Sequence, residues 1–119
     1  MKVLVVDDSK AMRMILRRGL RQAGFSVDVQ EADSGAAALD AIETAKPDLV
    51  ICDWNMPEMT GIELLETLGD RGLRVRFGFV TTEGSPEQRA RATEAGAAFL
   101  LTKPFTPDAL KATLSPILG

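Results

Sequence analysis

Asp48-Leu49-Val50-Ile51-Cys52-Asp53-Trp54-Asn55-Met56-Pro57-Glu58-Met59-Thr60-Gly61 begins as an apolar run and ends as a turn. Leu49 to Cys52 shows no polar alternation and reads as a strand buried on both faces. The run stops on the carboxylate of Asp53. Beyond it Pro57 has no N–H to give a ladder and Gly61 admits φ > 0, so residues 54–61 leave the sheet as a loop. A helical stripe of Ile62, Leu64, Leu65 and Leu68 follows. Asp53 therefore stands on the C-terminal rim of a strand, the edge at which open α/β sheets hold ligands.

The pattern recurs on both sides. Upstream, Val3-Leu4-Val5-Val6 is another buried run, halted by Asp7-Asp8. From Ser9 the period becomes helical, with Met12, Ile15, Leu16, Leu20 and Ala23 on one stripe and Gly24 at its end. Phe25 to Glu31 alternates weakly as a strand, and Asp33 or Ser34 caps a helix through Ala45. Downstream, Gly69 and Gly72 follow the helix begun at Ile62, and Val75 to Val80 is a strand ending at Thr81-Thr82. Ser85-Pro86-Glu87-Gln88 opens a helix from Pro86 to Ala95, mostly alanine and so expected to dock loosely. Ala98 to Leu101 makes a short strand before Thr102-Lys103-Pro104-Phe105. Thr106-Pro107-Asp108 caps a last helix with Leu110, Leu114 and Ile117 inward, and Pro116 near its end. Five strands alternate with five helices through short loops. The fold class is α/β, a five-stranded parallel sheet covered on both faces, in one domain over residues 1–119.

Composition narrows the function. The 119 residues are 45% hydrophobic with a net charge of −3, which gives no basic surface for nucleic acid. Five cations, Lys10, Arg13, Arg17, Arg18 and Arg21, crowd the first helix without an acid among them. Cys52 is the only cysteine, so no internal disulfide forms and a reducing, cytoplasmic setting is expected. No segment approaches the ~20 apolar residues of a membrane span. Histidine is absent, which removes histidine triads, histidine metal sites and phosphohistidine intermediates.

Strand ends now carry a matched set: Asp7-Asp8 after the first strand, Asp53 after the third, Thr81 after the fourth and Lys103 after the fifth. In a parallel sheet these ends share one edge. Clustered carboxylates repel and raise one another's pKa, and a divalent cation relieves that repulsion. An all-oxygen donor set suits Mg²⁺ and excludes zinc chemistry. A carboxylate can attack phosphorus to give an acyl phosphate, with an ammonium and a hydroxyl holding the remaining oxygens. No glycine-rich phosphate loop follows the first strand, so a nucleotide is not the expected donor.

On Asp7-Asp8, the Asp53–Gly61 loop, Thr81 and Lys103-Pro104-Phe105, the chain resembles a response-regulator receiver domain along its whole length, with loop wording closest to stand-alone CheY-type chemotaxis regulators. The resemblance implies a flavodoxin-like sheet of strand order 2-1-3-4-5. It also implies that Asp53 is the phosphoacceptor. Asp8 and Asp53 then bind Mg²⁺ directly, Asp7 binds it mainly through water, and the carbonyl of Asn55 is a further ligand. Thr81 reaches a phosphoryl oxygen, Lys103 pairs with the phosphate, and Lys103–Pro104 is cis. Asn55 and Glu83, two residues beyond Asp53 and Thr81, flank the path of attacking water. The partners implied are a sensor histidine kinase or phosphotransfer protein, and a protein target on the fourth helix, fifth strand and fifth helix. The chain would act as a monomeric switch, not as an enzyme with turnover.

One position departs from the family. Receivers usually carry Tyr or Phe three residues before the active-site lysine, where this chain has Leu100; the aromatic, Phe99, is one residue earlier and faces the opposite way. Output is therefore expected to run through the loosely docked fourth helix, with Arg89 and Arg91 contributing more than Leu100. Two alternatives remain open. One is an aspartate-nucleophile phosphatase of small phosphoesters, against which the spacing of Asp7-Asp8 and the lack of a cap domain weigh. The other is a receiver belonging to a larger regulator.

Overall fold

The computed structural model describes residues 1–119 throughout. Strands β1 (Lys2–Val6), β2 (Asp28–Ala32), β3 (Leu49–Asp53), β4 (Arg76–Thr81) and β5 (Phe99–Thr102) alternate with helices α1 (Lys10–Gln22), α2 (Gly35–Ala45), α3 (Gly61–Asp70), α4 (Pro86–Glu94) and α5 (Pro107–Leu118). All strand pairs are parallel, in the order β2-β1-β3-β4-β5. The class, the strand order and the five helices are those expected from the sequence.

Alternation along each strand divides the core in two. Val3, Val5, Leu49, Ile51 and Val80 point to one face and meet Leu16 and Leu20 of α1 and Leu110 and Leu114 of α5. Leu4, Val6, Val50, Cys52, Phe77 and Phe79 point to the other and are covered by α2, α3 and Ala92 of α4. Phe99 belongs to the α1/α5 layer and Leu100 to the opposite one, as strand alternation requires. The Phe99 ring lies where a side chain on its register partner Gly78 would stand. Only Ala92 of α4 is buried, so few apolar contacts hold that helix.

Several element ends differ from the sequence reading. β2 begins at Asp28 rather than Phe25, because the Gly24 and Phe25 N–H groups still close α1 on Arg21 O and Leu20 O. Ile15 is half exposed, not inward. It lies about 100° round the helix from Leu16, and Leu16, Gly19 and Leu20 form the buried line. α3 starts a residue early on a capping box in which Thr60 and Glu63 bond each other's backbone N–H, and it runs through Gly69. The left-handed residue of the β3–α3 loop is Glu58 at φ 69°, whereas Gly61 serves another need. A Cβ there would strike the carbonyl of Asp53 and crowd Phe79 and Trp54.

Candidate functional site

β1 lies between β2 and β3. The chain passes from β1 to β2 by α1 over one face and from β2 back across β1 to β3 by α2 over the other, so the strand order reverses at β1 and β3. A crevice opens at such a reversal, outside the carboxyl ends of the strands. Asp7 and Asp8 follow one strand into it and Asp53 ends the other, and carboxylate oxygens of all three lie within 4.8 Å of one another. Asp7 and Asp53 are buried and Asp8 is exposed.

Lys103 comes over from the end of β5. Its Nζ lies 3.3 Å from Asp53 Oδ1 and 3.4 Å from Asp7 Oδ2, bridging the two buried acids. The Lys103 N–H donates to Thr81 O at 2.7 Å, and the Lys103–Pro104 peptide is cis, as expected. Asp7 Oδ1 accepts the Ser9 N–H at 2.9 Å. Asp53 Oδ1 also accepts the Asn55 N–H at 3.3 Å, which leaves Oδ2 without a protein partner.

Burial raises the Asp53 pKa above its ordinary value, the charge of Asp7 adds to this, and Lys103 and the Asn55 N–H oppose it. Burial, with Asp53 and Asp7 nearby, holds the Cys52 thiol far from ionisation, and its Sγ–H donates to Asp53 O at 3.2 Å. Cys52 is an inert core residue. Trp54 is buried, its ring 4.7 Å from that of Phe79.

Thr81 is wholly buried as the last residue of β4, and its Oγ1 accepts the Glu83 N–H at 3.3 Å. Asn55 and Glu83 are both exposed at the rim. Arg89 and Arg91 lie further off on α4, where Arg89 Nε donates to Gly84 O at 3.1 Å and Arg91 reaches Glu66 of α3 at 3.5 Å. Leu100 is half-buried. Asp7, Asp8, Asp53 and Lys103 thus come together, while Arg89, Arg91 and Leu100 belong to the surface that α4 and β5 present.

Two features escaped the sequence reading. Arg13 and Arg17 are engaged by Glu31 at 2.8 Å each, and Arg13 Nη1 donates to Asp7 O at 2.6 Å. These arginines hold the Glu31 carboxyl below its usual range and leave Lys10, Arg18 and Arg21 to carry the basic face. The other is Gln88, whose side chain reaches Thr81. A glutamine at the third position of a helix entered from a strand-end threonine is the only sequence signal for it.

A family profile described as the response regulator receiver domain matches residues 3–115. The chain belongs to this family. Among curated proteins, this receiver domain is 39% identical to chemotaxis protein CheY1 of Helicobacter pylori, over all of the chain and 98% of that protein. It is 41% identical to chemotaxis protein CheY-3 of Vibrio cholerae, over 98% of the receiver and 91% of its relative. The solved structure of Vibrio cholerae chemotaxis protein CheY4 superposes with a TM-score of 0.87 at 37% identity, covering 98% of both chains. No helix of the receiver is long and apolar enough to cross a membrane.

Proposed function

We propose that this receiver is a phosphorylation-driven switch in the cytoplasm, with Asp53 as phosphoacceptor. The observation that carries the reading is the convergence of Asp7, Asp8 and Asp53 within 4.8 Å, with the Lys103 ammonium between the two buried acids. The donor is a phosphohistidine on a sensor kinase or phosphotransfer protein. Asp53 Oδ2, free of protein partners, attacks phosphorus. The O–P bond forms as the P–N bond breaks, its electron pair leaving on the imidazole nitrogen, which then takes a proton. Lys103, already within 3.3 Å of Asp53, exchanges a carboxylate for a phosphoryl oxygen, and the buried Thr81 hydroxyl can donate to another.

The three aspartates form an acidic, all-oxygen set next to solvent, which fits Mg²⁺; with the Asn55 carbonyl they would hold it. When bound it neutralises developing charge on the phosphoryl oxygens. Output goes to a protein partner on the α4-β5-α5 surface, through α4 with Arg89 and Arg91 more than through Leu100. The relatives compared above are named chemotaxis proteins, which favours a chemotaxis pathway.

Acetyl phosphate with Mg²⁺ tests this reading. One hydroxylamine-labile phosphoryl group should appear per chain, and a generic phosphoester should not be turned over. Steady phosphoester hydrolysis, or no labelling at all, would overturn the switch in favour of another use of the site.

A further inference from the structure

Thr81 has a single hydroxyl proton, and the structure shows where it goes. Thr81 Oγ1 donates to Gln88 Oε1 at 3.4 Å. The same amide oxygen accepts the Gly84 N–H at 3.2 Å, and Gln88 Nε2 donates to Glu83 Oε2 at 3.3 Å. Gln88 is itself fixed by its N–H on the Ser85 hydroxyl at 3.2 Å. One side chain therefore ties the end of β4 to each part of the loop that leads into α4.

The geometry points to Gln88 as a positioning residue that competes with the phosphoryl group for the Thr81 proton. The inference rests on Asp53 being the phosphoacceptor. A hydroxyl donates one hydrogen bond at a time, so donation to a phosphoryl oxygen and donation to Gln88 exclude each other. Breaking the Thr81–Gln88 bond removes one of the ties between the end of β4 and the loop. Gln88, still bonded to Gly84 and Glu83, can then shift together with the loop that leans on β5. Gly84, at φ 73°, packs so closely against the Thr102 methyl that a Cβ would overlap it, and that Cβ would stand 3.6 Å from Leu100 Cδ2. A shift of Gly84 therefore alters the surface above β5 without any ring rotation at position 100. α4, with only Ala92 buried, offers little resistance.

Beryllofluoride titration in Mg²⁺ tests the competition on wild type, Gln88→Met, Thr81→Ala and the double variant. Gln88→Met keeps length and volume but cannot accept the proton. It should tighten beryllofluoride binding by about two- to tenfold, the worth of one hydrogen bond. In the Thr81→Ala background the same change should have no effect, since the coupling needs both groups. Amide resonances of Glu83 and Gly84 in unliganded Gln88→Met should move toward their positions in the wild-type complex. Equal effects in both backgrounds, or weaker binding with Thr81 present, would mean that Gln88 only supports the loop and would overturn the inference. Thermal melts of all four proteins identify a loss of fold, and Gln88→Ala repeats the comparison if Gln88→Met melts early. A wild type that binds no beryllofluoride defeats this inference together with the receiver reading; binding that ignores Gln88 defeats the inference alone.

Discussion

Asp53→Asn protein should take up no phosphoryl label from acetyl phosphate under conditions that label wild type. The substitution keeps the shape of the side chain and replaces the nucleophilic oxygen with an amide, which does not attack phosphorus. Asp7 and Asp8 remain, so the experiment also asks whether a neighbouring carboxylate can stand in. Labelling at the wild-type rate would remove Asp53 from its assigned role. The same variant carries a stability signature. Burial and the charge of Asp7 raise the Asp53 pKa in the folded protein, so the fold holds that proton more tightly than the unfolded chain does. Stability is then highest below the ordinary carboxylate range and falls as pH rises through the interval up to the raised value. At neutral pH, without metal, ionised Asp53 costs stability. Asp53→Asn should therefore melt at a higher temperature than wild type in chelator at pH 7, and the advantage should vanish on acidification. Mg²⁺ at a hundredfold excess over its Kd stabilises a single-site protein by about 2.7 kcal/mol, and wild type should gain more of this than the variant.

Gly61→Ala should be nearly as damaging without touching a polar group. The added methyl would overlap the Asp53 carbonyl and meet Trp54 Cα at 3.1 Å and the Phe79 ring at 3.0 Å, two of them backbone atoms that cannot swing aside. Relief requires β3 and the loop to part, which displaces Asp53 from Lys103. Misplacement of a reacting group by about 1 Å costs on the order of a hundredfold in rate, so phosphorylation should slow by about that factor. Overpacking of this kind also lowers stability by about 1–3 kcal/mol. Gly69→Ala is the matched control. No atom lies within 4 Å of its Cβ position and the residue is inside α3, so stability should rise by about 0.5–1 kcal/mol with labelling unchanged. A Gly61→Ala protein as active as the control would show that the strand end tolerates the methyl.

The strands and the acidic edge were legible because buried parallel strands must be apolar throughout and must stop where polarity resumes. Val3–Val6 before Asp7 and Leu49–Cys52 before Asp53 show that pattern. Lys103 was legible for a related reason, standing one residue beyond an apolar strand and directly before a proline. Less legible was anything decided by a long side chain choosing among partners. Nothing in a single sequence directs Arg13 and Arg17 to Glu31 rather than to solvent, because the pairing depends on how α1 lies across β2. Gln88 reads in the sequence as the closing residue of a capping signal, whereas its side chain turns away from the cap to Thr81, Gly84 and Glu83, a choice of partner the sequence does not disclose. The burial of Trp54 is hidden in the sequence because its chain neighbours Asp53 and Asn55 are polar, while in space it packs on Phe79.

That buried indole gives the molecule an optical property. The chain has one tryptophan and no tyrosine, so its intrinsic fluorescence comes from a single ring, one peptide link from Asp53. The Trp54 backbone N–H donates to Val80 O at 3.2 Å and the indole packs on the Phe79 ring, so the emitter is tied to β4, the strand that ends in Thr81. Emission should change when Mg²⁺ or beryllofluoride is added to unlabelled protein, and Asp53→Asn should erase the beryllofluoride response. Binding and switching could then be followed in a stopped-flow instrument by light the protein already produces, with no dye on the surface that a partner must read.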